Sequence, residues 1–289
     1  MHTNQSSFYG NGRRGVDKRK LSFVFMALTV LFTVGAIVCL VTKGVARSAV
    51  YHKYLKSAGA EFDQDAAENE YLRAIALYPS RAQAYADLLT VYLGSSEKET
   101  GAALSKAEYK VLATLLSANE SALLRGEPAV YAEKVLFPLA EALFFNYEDD
   151  GKAQAAELLG KAVAFIADNG RKEFAKALKT VAESRVKING GAEVDYEAYY
   201  DSLSALCGTD RVVNGGAEEV VPTCRFIIEE LERGVFKGSG VDDKSLQLLR
   251  DAVKVSLMKI RDEGDEPAAL LKRCDMLQFG AAEKEGDDE

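Results

Sequence analysis

Length, composition and charge already exclude several classes of protein. The chain has 289 residues, and its hydrophobic content of 48% is enough to bury a sizeable core, so it is not a disordered chain. Frequent Ala, Leu, Glu and Lys, with five prolines and no tryptophan, favour helices joined by short loops, and we expect an all-α protein. A formal net charge of -8, without a basic stripe interleaved with aromatic residues, argues against nucleic-acid binding.

Residues 1–20 form a basic N-terminal tail that differs from the rest of the chain. Asp17 is the one acidic residue in it. Its lysines and arginines are Arg13, Arg14, Lys18, Arg19 and Lys20. The remainder of the chain therefore carries a net charge near -12. Much of that charge lies at the other end, where we predict that residues 281–289 form an acidic, disordered tail.

The stretch 21–42 contains 22 residues without a charged side chain. As a helix it reaches roughly 33 Å, the thickness of a bilayer's hydrocarbon core. A buried core helix would need an amphipathic break that this run lacks, and the apolar part of a cleaved signal peptide is usually about 7 to 15 residues long. A lipoprotein signal is excluded because Val38 precedes Cys39 where a small residue is needed. We therefore predict a retained, single-pass transmembrane helix embedded in the lipid bilayer.

Basic residues on either side of this helix set its predicted orientation. The excess of lysine and arginine normally lies on the cytoplasmic side, and the short N-terminal flank is rich in both. The contrast is small, because Lys43, Arg47, Lys53 and Lys56 follow the apolar run. We predict a cytoplasmic N-terminus and an extracytoplasmic body in the cell membrane.

The most informative spacing follows the predicted anchor. Ala67, Tyr71, Ala74 and Pro79 are separated by 4, 3 and 5 residues. On a helix the first three share one face, where two small residues admit a neighbouring helix and the tyrosine fills the gap beside them. Proline then ends the helix, since it lacks the amide hydrogen.

The same aromatic and aliphatic pattern recurs before and after that helix. Tyr51 and Tyr85 are 34 residues apart, as are Leu55 and Leu89. This pattern resembles the tetratricopeptide repeat, a helix-turn-helix unit of 34 residues. The chain departs from the family because leucines replace the usual glycine at both positions. The positions that match the repeat's packing residues are Tyr51, Leu55, Ala67, Tyr71, Ala74, Pro79, Tyr85, Leu88 and Tyr92.

The resemblance implies a short α-solenoid of stacked helical hairpins over residues 43–170. Thr100 to Ala118 would supply the second helix of the second unit. Val130 to Tyr147 would begin a third unit, with a kink at Pro138. The second helix of that unit would pack through Ala155, Leu159 and Ala162.

Residues 171–280 are predicted to form additional C-terminal helices without a repeat signature. We expect helices at roughly 171–188, 195–206, 219–232, 242–263 and 267–279. Turns are expected at the Asn-Gly-Gly sequences, and residues 211–221 could form a small hairpin. Cys207, Cys224 and Cys274 are predicted to be buried thiols, with a bond between the first two as the alternative.

No arrangement of residues indicates catalysis, a metal site or a cofactor. His2 and His52 lack partners at metal-ligand spacing, and we interpret both as surface residues. The stretch from Gly234 to Gly240 lacks the order of a phosphate-binding loop. Acidic pairs such as Asp242 and Asp243 stand at helix starts, where carboxylates cap exposed amides. We therefore expect no enzyme activity and no small-molecule substrate.

The resemblance implies a concave, protein-binding face lined by the first helix of each unit. Its outward residues here would be His52, Lys53, Lys56, Gln83, Asp87 and Thr90. The leading hypothesis is a membrane-anchored scaffold or adaptor for protein partners. A structural subunit of a fixed membrane, secretion or envelope complex is the alternative. An enzyme or small-ligand receptor in the C-terminal half is a third class, which a deep polar pocket would reveal.

Overall fold

The structure is a computed structural model that describes residues 18–94, 104–147 and 149–279. All regular elements within these ranges are helical, so the all-α prediction is confirmed for them. The α-helices are α1 (Lys18–Ala58), α2 (Gln64–Leu77), α3 (Ala82–Gly94), α4 (Lys106–Gly126), α5 (Pro128–Tyr131), α6 (Phe137–Asn146), α7 (Asp149–Ala162), α8 (Asn169–Asn189), α9 (Tyr196–Gly208), α10 (Asp210–Asn214), α11 (Ala217–Glu232), α12 (Asp243–Lys259) and α13 (Asp265–Met276). The chain divides into two compact units, Met1–Lys53 and Tyr54–Glu289.

Helix α1 is the one helix in the described ranges that is long and apolar enough to cross a membrane. Its segment Thr29–Ala58 has a mean hydropathy of 2.0, and none of the most apolar window is buried. Apolar side chains such as Leu31 and Phe32 are at least 70% exposed. The Thr33 hydroxyl donates a hydrogen bond to the carbonyl of Thr29 at 2.7 Å, so this polar side chain is satisfied within the helix. The part of this helix from residue 29 to residue 42 is thus uncharged and exposed on all sides.

Helices α2 and α3 form an antiparallel hairpin in the second unit. Asp63 caps α2, because its side chain accepts a hydrogen bond from the amide of Asp65 at 3.0 Å. The helix ends two residues before Pro79, as the proline predicts. The Tyr85 hydroxyl reaches back across the turn to the Pro79 carbonyl at 3.1 Å. These local contacts fix the start of the hairpin, its turn and the entry into α3.

Helix α4 begins and ends later than predicted. We expected a helix from Thr100 to Ala118, but 100–103 lie outside the described residues, and α4 starts at Lys106 and continues to Gly126. The start is set by a capping box, in which Ser105 and Glu108 each bond to the other's backbone amide. The sequence contained this signal, since serine stands three residues before glutamate at the start of an apolar pattern.

Pro138 is accommodated by a π-helical turn. The predicted helix from Val130 to Tyr147 is divided into α5, a π-helical turn at Ala132–Leu136, and α6. Proline has no amide hydrogen for the carbonyl four residues earlier, so the regular ladder cannot pass through it. The amide of Phe137 instead bonds to the carbonyl of Ala132, five residues back. The irregularity expected at this proline therefore takes the form of a π turn just before it.

Helices α7 and α8 follow as a second tight antiparallel pair. Ala155, Leu159 and Ala162 of α7 are fully buried. Lys152 is almost buried as well, and its ammonium donates to the carbonyl of Tyr147 at 2.8 Å. A positive charge at this place stabilises the C-terminal end of α6, where carbonyl groups lack helical partners.

The C-terminal helices agree with those predicted from the sequence, whereas a hairpin predicted in the same region is not found. Each of the five predicted helices after residue 171 has a counterpart in α8, α9, α11, α12 or α13. The hairpin suggested for 211–221 is wrong, because this stretch contains the short helix α10 and the start of α11. The Asn-Gly-Gly sequence does make a turn, but its flanks lack the alternating apolar pattern that a strand needs, and Val212 is buried from a helix.

Side chains of helix α11 contact α6, α8 and α9. Phe226 meets Phe144 of α6 at a centroid distance of 4.7 Å. Glu230, which is fully buried, lies 3.3 Å from the guanidinium of Arg185 on α8 and accepts a hydrogen bond from the Tyr199 hydroxyl of α9 at 2.6 Å. Burial and the neighbouring carboxylate together raise the pKa of Tyr199, so its hydroxyl keeps the proton it donates.

Candidate interaction surfaces

Three predicted face residues lie on α3, and two of them join a polar cluster. The Gln83 amide donates to the Asp87 carboxylate at 2.6 Å, and Lys134 donates to the Gln83 side chain at 3.3 Å. Lys134 lies in the π-helical turn before α6, so the cluster connects α3 to the next long helical segment. Burial raises the pKa of Asp87, while Gln83 and Lys134 act in the opposite direction. Thr90 is exposed on the same helix.

The other predicted face residues lie on α1. His52, Lys53 and Lys56 are all exposed. His52 and Lys53 belong to the first unit, and the ring of His52 lies edge-on to that of Tyr51 at 5.5 Å. The structure therefore brings together Gln83 and Asp87 and adds Lys134 to them, a residue that the sequence analysis did not select.

The predicted repeat-packing residues occupy the helical pair α2 and α3 and the end of α1. Leu55 and Pro79 are half-buried, and Tyr51 lies on α1 in the first unit. The predicted residues that lie on α2 and α3 all have 5% exposure or less, and they are Ala67, Tyr71, Ala74, Tyr85, Leu88 and Tyr92. Their small and aromatic side chains fill the contact between the two helices.

A groove that the sequence analysis missed lies between α3, α6, α11 and the start of α13. Its cavity volume is about 570 Å³, within the range of sites that bind ligands in proteins. Its apolar lining consists of Leu93, Pro138, Ala142, Phe145, Ala217, Val221, Pro222 and Pro267. Three of the chain's five prolines therefore line this one groove. Because proline rings are stiff and carry no amide hydrogen, this wall is firm and apolar.

Carboxylates surround the apolar floor of this groove. Glu263 accepts a hydrogen bond from the amide of Ala217 at 2.7 Å and so caps the start of α11. Glu266 pairs with Arg225 across the groove, with the guanidinium Nε 2.8 Å from the carboxylate. Glu218 and Asp265 are exposed and have no ion pair in the described part of the chain. The rim is therefore acidic, and two of its exposed carboxylates, those of Glu218 and Asp265, have no ion pair among the described residues.

Glu141 and Arg211 form an ion pair at the inner end of the groove. The two side chains are 3.0 Å apart, and that of Glu141 is 13% exposed. The guanidinium of Arg211 also lies over the rings of Phe137 and Phe174, at 5.5 and 5.2 Å from their centroids. Burial raises the pKa of Glu141 to about 7, although Arg211 and Arg171 act in the opposite direction. A lone glutamate in an apolar helical run was the available sequence signal for this site.

The three cysteines of the second unit are free and buried. This contradicts the alternative of a bond between Cys207 and Cys224, and it agrees with the prediction of buried thiols. Burial raises the pKa of Cys207 to about 12 and that of Cys274 to about 11, and the pKa of Cys224 is raised for the same reason. The thiolate, which is the reactive form, is therefore suppressed at all three positions. Within the described ranges, no group of three or more potential ligand residues could hold a metal ion.

Comparison of the chain with protein-family models, with curated proteins and with solved structures finds no match.

We predict that Glu141→Gln changes how stability depends on pH. Since the pKa of Glu141 rises from 4.5 to about 7 on folding, this group's contribution to stability falls as the pH increases through that interval. Glutamine mimics the protonated acid, so the variant should gain about 3 kcal/mol relative to the unmodified chain over this range. The measurement is urea unfolding of the full chain in detergent at several pH values. Glu218→Gln, on the exposed rim, is the matched control, and an equal gain there would contradict the assignment.

Proposed function

We propose that the chain is a single-pass membrane protein whose body is a short solenoid of tetratricopeptide-like hairpins that holds protein partners at the membrane. Helix α1 supports the membrane part of the proposal. Its apolar residues face outward, and its apolar run is longer than the hydrophobic part of an ordinary signal peptide. The body contributes a shaped surface and no catalysis.

The side-by-side contact of successive first helices is the observation that carries this proposal. In a solenoid the first helix of each hairpin lies beside the first helix of the next, and this row lines the groove. Lys134 contacts Gln83 of α3 from the turn that leads into α6. Phe137 of α6 in turn lies edge-on to Phe174 of α8, with ring centroids 6.1 Å apart. These two contacts support the order α3, α5 to α6, and α8 that stacked hairpins would have.

In this proposal the partner contacts a set of polar residues. On α3 the set includes Gln83, Asp87 and Thr90, and on α1 it includes His52, Lys53 and Lys56. It carries both signs of charge, so partner selection would depend on matched charges more than on apolar burial. Affinity for such a small surface is modest, and anchoring both molecules at one membrane compensates through a high effective concentration.

Reversing two charges on this face should weaken partner capture. A photo-crosslinking residue in place of Thr90, in the full chain in its own membrane, reports the partner, which mass spectrometry then identifies. We expect Lys56→Glu together with Asp87→Lys to reduce the captured partner by roughly tenfold, about 1.4 kcal/mol of binding free energy. The control variant combines Lys110→Glu with Glu173→Lys. Both residues are exposed and lie outside the face. This variant makes the same two charge reversals, and the amount of captured partner should not change. Unchanged capture by the first pair would refute this face.

We further propose that the N-terminus is cytoplasmic and the body extracytoplasmic. A C-terminal reporter that is active only outside the cytoplasm should therefore be active. Replacing the five lysines and arginines of the N-terminal tail with glutamine leaves Lys43, Arg47, Lys53 and Lys56 as the dominant basic flank. By the positive-inside rule this variant should lose reporter activity. An inactive reporter on the unmodified chain would establish the opposite topology.

A fixed structural subunit is a second candidate, and the outer side of α12 favours it. Leu248, Val255 and Met258 are each at least 55% exposed on this helix, which is unusual for a folded surface without a partner. On the scaffold proposal, the purified full chain should be monodisperse by light scattering in detergent. On the subunit alternative it should associate, and Leu248→Gln together with Val255→Gln should reverse that association. Substitutions at the exposed polar residues Gln247 and Asp251 are the control for effects of mutation and purification that do not involve the apolar side chains.

A further inference from the structure

We propose that the groove between α3, α6, α11 and the start of α13 binds a basic segment of a partner protein. The segment would place an apolar side chain on the groove floor and lysine or arginine side chains at its rim. This inference rests on the scaffold function proposed above, because it names the chemistry of a partner that the scaffold would hold. The groove differs from the face on α1 and α3, so the two surfaces can be tested separately.

The floor of the groove supplies the apolar part of the recognition. Phe145 is half-buried, and it shares the groove with Val221 and with the ring of Pro222. Because Pro138 and Pro222 both lie in helical segments, their rings are held by the helix backbone and do not need to be ordered on binding. A preformed apolar floor keeps the entropic cost of binding low. A cavity of about 570 Å³ suits a few side chains of a peptide and not a whole protein surface.

The charge of the groove selects a basic occupant. Six carboxylates line it against two guanidinium groups, which gives a formal charge of -4. Both arginines are already engaged, Arg211 with Glu141 and Arg225 with Glu266. Helices α11 and α13 begin at the groove, and each helix N-terminus contributes about +0.5 charge. Together they offset only about one of the four net negative charges. The rim therefore stays acidic after the positive charge of these helix N-termini is taken into account.

The backbone of α11 adds a hydrogen-bond acceptor at the same place. Pro222 lies inside this helix, where its nitrogen has no hydrogen for the carbonyl of Glu218. Both residues line the groove, and Glu218 is exposed. A lysine or arginine side chain carries several donors and can satisfy a carboxylate and a carbonyl together. An acidic segment would meet repulsion from the rim, and a neutral segment brings donors but no charge to offset that of the carboxylates.

Two designed peptides test the charge preference directly. Both have about 12 residues with leucines at helical spacing, one with lysines and the other with glutamates at the remaining positions. Binding to the full chain in nanodiscs of zwitterionic lipid is followed by fluorescence anisotropy, with empty nanodiscs as the blank. We expect the lysine peptide to bind at least about tenfold more tightly than the glutamate peptide, and to weaken as salt is raised to about 0.5 M. Equal binding of the two peptides would overturn the proposal.

Charge reversal at Glu218 and Asp265, two exposed rim carboxylates outside any ion pair in the described residues, tests the location. Glu218→Lys together with Asp265→Lys should weaken binding of the lysine peptide about tenfold, and the neutral pair Glu218→Gln with Asp265→Asn should act in the same direction by a smaller factor. Glu197→Lys together with Asp243→Lys is the matched control, because both residues are also exposed acids in the first turn of a helix. An effect of the control pair equal to that of the rim pair would refute the groove.

Crosslinking separates this inference from the scaffold function. Benzoylphenylalanine in place of Phe145 should capture the lysine peptide, whereas the same residue in place of Phe165, which is 39% exposed elsewhere, should not. If Phe145 captures no peptide while the crosslinker at Thr90 still captures the cellular partner, the groove proposal fails and the scaffold proposal stands. If peptide binds in the groove but Thr90 captures no partner, the proposed face on α1 and α3 fails instead.

Discussion

The position of α11 depends on a single buried carboxylate. Glu230 has no exposed surface, and a charge in that environment is tolerated only where donors surround it. Arg185 of α8, Tyr199 of α9 and Arg233 of the same helical end provide those donors. A shift of α11 along its axis would separate the carboxylate from Arg185 and Tyr199, which belong to other helices, so these contacts fix the register of α11 as well as its location. Apolar contacts alone would tolerate such sliding better, since they lack direction.

This register determines which surfaces of the body stay open. On α6, the side with Phe137, Glu141 and Phe144 faces α10 and α11, whereas Leu139 lies beside residues of α4 and α7. The chain's own C-terminal helices therefore cover one side of α6 and α8, and α3 keeps an exposed side. The acidic groove lies where this cover ends. One helix contact thus shapes the open face and the groove at its border.

The features that were predicted correctly from the sequence are those that depend on residues close to one another along the chain. The small and aromatic face of α2, the turn at Pro79 and the five C-terminal helices follow from spacing and local chemistry. The capping of α3 and α11 does not, because Glu127 accepts from the amide of Ala82, and Glu263 from that of Ala217, each more than 40 residues distant in sequence. The groove was missed for the same reason, since its walls come from four helices and no local pattern in any of them shows the assembly.

Three free thiols in the body are compatible with the proposed extracytoplasmic location. Oxidising compartments convert cysteines to disulfides through the thiolate, which must form before it can attack. Burial raises the pKa of Cys207, Cys224 and Cys274, so almost no thiolate exists at neutral pH. The same burial excludes an external oxidant or a partner disulfide from the sulfur atoms. The packing that makes these residues good core side chains therefore also preserves them as thiols in an oxidising compartment.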